Sequence, residues 1–295
     1  MGKVLKGRSM LSEDAGTIRV GQPQSKMWFL PREHGATAML FIPIVCAAIL
    51  SRQWRWSELA TAMAAFAALA AKDPMVILAR QRFVWKQRHP ESSAAARWLA
   101  GWSAILFLSG LVLLRAWPLT AIVAMGIGVA AFSVLAIAVN VRNRQRSTLF
   151  QIASAAALTS SSLATSLSAT GGIARWCWIL WLLMALQATA GILVVHARLD
   201  ARIALRQAAP SGELSTRFRR AAQISLIALV CAATIAGALG HAWIALALLT
   251  PVIGYWYDLR SQLNPEFLQL PLKKVGQRAL ALSSLFAVLL IVGFW

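Results

Sequence analysis

The sequence predicts an all-α, polytopic membrane protein with nine transmembrane helices, a cytoplasmic N-terminus and a C-terminus outside. Three observations support this fold class. The chain has 295 residues, of which 59% are hydrophobic and only 13% are charged, a composition typical of membrane proteins. Its apolar residues form nine long segments. Its basic residues are concentrated in alternate connections between those segments.

Each apolar segment is about 17–25 residues long, which allows a helix to cross ~30 Å of hydrocarbon. The connections are mostly short, so neighbouring helices should run antiparallel. The predicted spans cover residues 34–51, 57–79, 97–115, 118–140, 148–171, 175–196, 221–239, 241–258 and 275–294.

The alternation of direction places nearly all Lys and Arg residues on one side of the membrane. The sequence has 29 of them, and the exceptions are Arg52, Arg55, Arg115 and Arg175. Because basic loops stay in the cytoplasm, we expect a multi-pass protein of the bacterial cytoplasmic (inner) membrane with its N-terminus inside. Tryptophans typical of membrane interfaces cluster at the outer ends: Trp54, Trp56, Trp117, Trp176, Trp178 and Trp295.

Two regions are predicted. Residues 1–28 are polar, lack the apolar stretch of a signal peptide and should form a disordered cytoplasmic tail, and residues 29–295 should form the transmembrane domain. The net charge of +19 is distributed between apolar runs, so lipid headgroups rather than nucleic acid are the expected partner. The three cysteines are far apart in apolar runs, which disfavours disulfides and metal sites.

The second span contains Lys72, Asp73 and Pro74. Each charge costs about 2.5–3.5 kcal/mol at the centre of a membrane helix, so such residues usually face a bundle interior or a water-filled cavity. In a regular helix, Lys72, Asp73, Val76 and Arg80 lie within an arc of about 100°, and Pro74 should bend or break the helix. The alternative is a Lys72 that reaches the interface and pairs with Asp73.

The sixth span ends with His196 and Asp200, which share a helix face, while Arg198 and Arg202 lie on a different stripe. If the arginine stripe faces headgroups, His196 and Asp200 point inward and could transfer protons or bind a metal. The alternative is that His196 and Asp200 lie at the membrane interface and only pair with each other.

Two further features are weaker. Glu33 and His34 lie where the chain enters the first span. They could form a capping turn, in which Glu33 complements the helix dipole, or a charged pair at the mouth of a cavity. The fifth span is rich in Ser and Thr, which favours close helix packing over a polar pathway.

The segment Leu30-Pro31-Arg32-Glu33-His34-Gly35-Ala36, running into Met39–Pro43, resembles the YwiC-like family of bacterial integral membrane proteins. That family is marked by P-x-E-H-G at the head of its first helix. A weaker similarity continues to Lys273–Gly276 before the last helix, so the resemblance covers the transmembrane region. The family has no well-established activity.

Nine helices with specialised cytoplasmic ends on spans two and six also resemble, more distantly, the UbiA prenyltransferase superfamily. That resemblance implies a UbiA-like bundle in which N-D-x-x-D-x-x-x-D and D-x-x-x-D motifs hold Mg²⁺ against an isoprenyl diphosphate. In this sequence, the positions of the first motif are occupied by Lys72, Asp73, Val76 and Arg80, and those of the second motif by His196 and Asp200. Only the two aspartates match, so Mg²⁺ is poorly supported and no cofactor is expected.

We therefore expect a protein that binds a lipid or isoprenoid-type molecule in a cytoplasm-facing cavity. If it is an enzyme, it is a divergent UbiA-like prenyltransferase. The predicted catalytic residues are Asp73, Asp200 and His196, and the predicted substrate-binding residues are Lys72, Arg80, Arg202, Glu33 and His34. A small-solute transporter or permease, or a non-catalytic membrane assembly subunit, is the alternative.

Overall fold

The computed structural model describes residues 34–86, 91–141, 147–207 and 214–295. The predicted tail, residues 1–28, lies outside this part of the chain. The described residues form eleven α-helices and contain no strand. In order, these are α1 His34–Ser51, α2 Trp56–Arg80, α3 Ser92–Ala116, α4 Leu119–Val141, α5 Thr148–Thr159, α6 Ser161–Thr170, α7 Arg175–Gln207, α8 Leu214–Ala238, α9 Ala242–Ser261, α10 Pro265–Gln269 and α11 Leu272–Phe294.

Seven helices of the described chain are long and apolar enough to cross a membrane, namely α2, α3, α4, α7, α8, α9 and α11. Each coincides with one of the nine predicted spans. The other two predicted spans correspond to the shorter apolar helix α1 and to the pair α5–α6, which are separated at Ser160. The chain is thus a multi-pass, all-helical membrane protein, and crossing by all nine segments stays a prediction.

Contacts between helix ends show that the long helices alternate in direction. At one end, which we call the distal end, Arg52 after α1 donates a 2.9 Å hydrogen bond to the carbonyl of Trp295 after α11. At the other end, which we call the basic end, Arg80 of α2 donates a 2.8 Å bond to the carbonyl of Asn140 in α4. The basic end is the one predicted to face the cytoplasm, and that orientation stays a prediction.

The main hydrophobic core lies between α1, α7, α8, α9 and α11. Its most deeply buried side chains include Cys46, Leu180, Leu229, Leu248 and Phe286. A second, smaller cluster joins α2, α3 and α6. The outer surface of α4 is apolar and largely exposed, as a lipid-facing helix requires.

Two helices differ from the expectation near their basic ends. α2 does not break at Pro74, which is buried inside a continuous helix. The helix instead ends beyond Arg80, in a π-helical turn over Gln81–Trp85 that closes at Lys86 with a φ of 53°. α7 runs to Gln207, eleven residues past the predicted end of the sixth span at residue 196.

The hydroxyl-rich fifth span packs as the sequence predicts. Ser161, Ser162, Thr165, Ser166 and Ser168 are all buried, and most of these hydroxyls bond to backbone carbonyls. Across the interface, Ser161 Oγ donates to the carbonyl of Leu40 in α1 at 2.9 Å. The hydroxyls therefore satisfy the backbone around the interruption at Ser160.

A buried polar network joins α7, α9 and α11 in the main core. Gln187 Nε2 donates to Tyr255 Oη at 2.8 Å and to Ser283 Oγ at 3.0 Å. Gly191, one turn further along α7, makes room for the tyrosine, because a Cβ at that position would lie 2.7 Å from Tyr255 Oη. A rigid ring tip cannot move as a flexible side chain does, so this close approach requires glycine.

Substituting Gly191→Ala should therefore lower the free energy of unfolding by about 1–3 kcal/mol, because the new methyl overpacks the core and displaces Tyr255. Gly110→Ala in α3 is the matched control, since no atom lies within 4 Å of a Cβ there. Thermal unfolding can be followed by a thiol-reactive dye, because Cys46 and Cys177 are buried. Equal melting temperatures for the two variants would contradict this role of Gly191.

The orientation can be tested with single cysteines in a background lacking the three native ones. Gly240→Cys lies just before the distal end of α9, and Asn264→Cys lies just after its basic end, at the start of α10. If positive charge stays inside, a membrane-impermeant maleimide should label residue 240 in intact cells and residue 264 only after permeabilisation. The reverse pattern would invert the topology.

Candidate ligand-binding region at the basic end

A ladder of aromatic rings crosses three helices near the basic half of α2. Phe41 of α1 contacts Phe66 of α2 with ring centroids 5.7 Å apart. Phe66 meets Trp102 of α3 edge-on at 5.5 Å, and Trp102 stacks on Trp98 at 6.0 Å. These four rings, which we call the aromatic ladder, run from the α1–α2 contact towards the basic end of α3.

Small residues on α2 allow the ladder to approach that helix closely. Ala67 and Ala70 are buried against Trp102, and Ala71 and Trp98 pack on the same cluster. The cluster therefore reaches the residue immediately before Lys72. The indole Nε1 of Trp102 is buried and has no hydrogen-bond partner within the described chain. Such a donor normally finds a partner when it is buried.

The charged residues of the predicted first motif occupy the last turns of α2. Lys72, Asp73 and Arg80 are all half-buried. Arg80 bonds the backbone of Asn140, whose own amide donates to the carbonyl of Ala136 at 2.8 Å. This pair ties the end of α2 to the end of α4, so Arg80 has a structural role in addition to any ligand contact.

His196 lies where α5, α7 and α8 meet. Its Nε2 is 2.8 Å from Oε1 of Gln151 in α5, and its ring stacks on Phe218 of α8 at 5.2 Å. A carboxamide oxygen only accepts, so Nε2 carries the proton and a neutral imidazole keeps Nδ1 as an acceptor. Asp200 follows one turn later and is half-buried.

The arginine stripe of α7 contacts protein, so the condition under which His196 and Asp200 would point inward is not the arrangement found here. Arg198 is only 3% exposed and donates to the carbonyls of Phe267 and Leu270 in and after α10, at 2.7 and 3.4 Å. Its guanidinium also lies 4.9 Å from the centre of the Phe267 ring. Arg202 reaches the carbonyl of Gln269 at 3.5 Å. The stripe fixes α10 to α7 because arginines bind the carbonyls that end a short helix.

A second set of contacts continues from this stripe to α9 and α11. Tyr257 meets Phe267 edge-on at 6.3 Å, and Arg278 of α11 lies over the Tyr257 ring at 4.5 Å. Arg278 also forms a 2.9 Å salt bridge with Asp258. The basic end of α7 thus has protein on both faces: α5 and α8 beside His196, and α9, α10 and α11 beside Arg198.

The structure brings only some of the predicted site residues together. Lys72, Asp73 and Arg80 share the end of α2, and His196, Asp200 and Arg202 share the end of α7. In the described part of the chain the two helices have no substantial common interface, because α2 packs mainly on α3, α4 and α6 and α7 mainly on α8, α5 and α9. Glu33 lies outside the described residues, and of His34 only its backbone, at the start of α1, is described.

This arrangement does not fit a Mg²⁺ site of the kind that the UbiA resemblance implies. A magnesium ion between protein and phosphate needs carboxylate oxygens that converge. Asp73 and Asp200 are only two carboxylates, they lie on helices without a substantial common interface in the described chain, and each has basic neighbours in the sequence. Over the described residues, no three His, Cys, Asp or Glu side chains could hold a metal ion together.

Sequence reasoning missed the aromatic ladder and the inward position of Arg198. The i,i+4 spacing of Trp98 and Trp102 is a signal that could have indicated one ladder face. The position of Arg198 had no such signal, because it depends on α10, which the hydropathy pattern does not reveal.

Comparison with known proteins gives one positive result. No curated protein matches the chain. The family model described as YwiC-like protein matches residues 30–167, which include α1 to α5, most of α6, the aromatic ladder and the charged end of α2. The weaker similarity at Lys273–Gly276, like His196 and Asp200, lies outside the matched range. Through this N-terminal part of its helical bundle, the chain is similar to the YwiC-like family.

Proposed function

We propose that this multi-pass membrane protein binds a lipid-like molecule with an anionic head, of the isoprenoid kind, at the basic end of α2 and α3. The observation that supports this function is the aromatic ladder, which ends beside Lys72 and Asp73. In this assignment the apolar chain of the ligand lies along the ladder, and the head lies near Lys72.

The chemistry of the region suits an amphipathic ligand. Ligand sites are usually apolar and aromatic, with a few polar groups that fix orientation. The ladder supplies half-buried ring surface, and the unpartnered indole N–H of Trp102 offers a donor along its length. The ammonium of Lys72 can contact a phosphate or carboxylate, and Asp73 beside it limits the net charge that the membrane must accommodate.

The excess of positive charge supports the choice of an anionic head. Under the predicted topology all but four of the 29 Lys and Arg residues lie in the tail or at the basic end. This concentration of positive charge attracts anionic headgroups over about a Debye length.

The same charge distribution supports our proposal that the basic end faces the cytoplasm in a bacterial inner membrane.

Binding, rather than metal-dependent prenyl transfer, is the function that these residues support. A divergent UbiA-like prenyltransferase would still need to stabilise a diphosphate leaving group, and convergent carboxylates are not supplied by Asp73 and Asp200. The distant resemblance to the UbiA superfamily supports the isoprenoid character of the ligand and not the reaction.

A transporter of a small solute is the second candidate, and one observation favours it. The fifth span is discontinuous at Ser160, and its first half carries Gln151, the partner of His196. Discontinuous helices often form the substrate sites of transporters. His196 would then act as a proton acceptor between α5 and α7.

The lipid-binding proposal can be tested by native mass spectrometry of protein extracted with its surrounding lipid. Lys72→Gln should reduce the occupancy of a co-purifying anionic lipid by about 10–100-fold, because a charge-assisted hydrogen bond contributes about 1.5–3 kcal/mol. The matched control is Arg260→Gln, an exposed arginine at the basic end that stacks on Trp256. Equal lipid occupancy in wild type and both variants would reject the assignment of Lys72.

The position of the apolar chain is tested separately. Trp98→Ala should weaken retention of the same lipid by about tenfold, since the lost ring removes stacking and apolar contact. Trp243→Ala at the distal end is the control, because Trp243 is 53% exposed and lies outside the ladder. A larger loss in the control than in Trp98→Ala would place the ligand elsewhere.

The two candidate functions differ in proton movement. Proteoliposomes loaded with a pH-sensitive dye should show no flux above that of empty vesicles if the protein binds lipid without transport. Flux that is driven by a pH gradient and abolished by His196→Ala would support the transporter instead. Arg219→Gln, on α8 beside Phe218, is the control for a general effect of substitution at this end.

A further inference from the structure

Among the residues that the structure describes, Glu58 is the one acidic residue at the distal end of the bundle. The other acidic residues in these ranges lie nearer the basic end: Asp73, Glu91, Asp200, Asp258 and Glu266. An isolated carboxyl group on the opposite side of the bundle therefore needs a separate explanation.

Glu58 is buried although it lies in the first turn of α2. Its side chain is only 6% exposed. One carboxyl oxygen, Oε1, accepts a 3.3 Å bond from the backbone N–H of Arg55. The other, Oε2, is fully enclosed and has no hydrogen-bond partner in the part of the chain that the structure describes.

The neighbouring hydroxyl groups cannot supply that partner. Trp117 Nε1 donates to Ser168 Oγ at 2.8 Å, and Thr61 Oγ1 donates to the carbonyl of Ser57 at 2.9 Å. Because the Thr61 proton is already used, Ser168 is the donor in its short hydrogen bond with Thr61. Ser57 Oγ in turn donates to the carbonyl of Ser168 at 2.8 Å. Every hydroxyl proton in this chain of bonds has an acceptor other than Glu58.

The charged groups around α2 do not neutralise a buried carboxylate either. α6, which packs on this turn, contains no ionisable residue from Ser161 to Thr170. Arg115 at the end of α3 is exposed, and Arg52 after α1 bonds and stacks on Trp295. Arg55, three residues before Glu58, attracts the carboxylate, but its side chain is exposed, so solvent screens this attraction and burial remains the larger effect.

Two opposing effects decide the state of Glu58. The positive end of the helix dipole favours a carboxylate, but this effect is small. Burying a charged oxygen without a partner carries a large desolvation penalty. A neutral acid leaves an uncharged hydroxyl without a partner on Oε2, which is a smaller penalty than that for a buried charge. The larger penalty falls on the charged form, so the neutral acid is favoured.

We propose that Glu58 is a proton-binding site at the distal end of the bundle. The carboxylate takes a proton from hydronium at the distal interface: an O–H bond of the hydronium breaks, a new O–H bond forms on Oε2, and a water molecule is left. The reverse step returns the proton to the same side and restores the carboxylate. This site is independent of the lipid-binding region, which lies at the other end of α2.

Infrared spectroscopy of the protein in lipid nanodiscs tests this proposal, because the carbonyl band of a carboxylic acid is separate from that of a carboxylate. The wild type minus Glu58→Gln difference spectrum at pH 7 should contain an acid band that shifts in heavy water. Glu58→Asp should move the band without removing it. Glu266→Gln, at an exposed carboxyl group on α10, should leave the acid band unchanged.

Raising the pH of the wild-type sample should convert the acid band into carboxylate, with no such change in Glu58→Gln. The proposal is overturned if the wild type shows only carboxylate absorption from this residue at pH 7, or if the acid band persists in Glu58→Gln. Should Glu58→Gln fail to fold, the same conversion can be followed in wild type against Glu58→Asp, and identical spectra would again overturn the proposal.

Discussion

The hydrocarbon core of a membrane offers no hydrogen bonds, so every polar group inside this bundle must find its partner within the chain. Much of the structure follows from that constraint. The hydroxyls of α5 and α6 turn back onto carbonyls of their own helices, and Ser161 crosses to the backbone of α1. Gln187 finds Tyr255 and Ser283 in the main core. Polar residues here act first as structural connections between helices.

The same constraint separates structural charges from functional ones. Arg198 is nearly as buried as the apolar core, yet its Nη2 donates to carbonyls in and after α10 and its guanidinium lies over the ring of Phe267, while its Nε has no hydrogen-bond partner within the described chain. Removing one partner of such a contact would leave a buried charge without compensation, which is far more costly than the contact is favourable. Arg198 is therefore best understood as the residue that fixes the connection between α9 and α11.

The polar groups that the constraint leaves unsatisfied are more informative about function. Five buried side-chain atoms have no hydrogen-bond partner within the described chain: Oε2 of Glu58, Oε1 of Gln81, Oγ of Ser92, Nε1 of Trp102 and Nε of Arg198. Two of them, the Trp102 indole nitrogen and the Glu58 oxygen, belong to the regions for which a function is proposed above. The first lies in the aromatic ladder beside Lys72 and Asp73, and the second lies at the opposite end of α2. The region matched by the YwiC-like family contains both positions, whereas the His196 region of α7 lies beyond it. α2 therefore carries unsatisfied polar groups within the region that is similar to the YwiC-like family.

The sequence by itself determined the helical class, the positions of the long apolar segments and the concentration of positive charge between alternate spans. These properties depend on composition and on periodicity, which act over one helix at a time. The continuity of α2 at Pro74 and the position where α7 ends were less predictable from the sequence. Neighbouring helices can keep a proline-containing helix continuous, and they can stabilise a helix beyond its apolar run. Only the tertiary structure decided which face of α7 each side chain meets. It placed Arg198 against α10 and His196 against Gln151, since such contacts depend on helices that are distant in sequence.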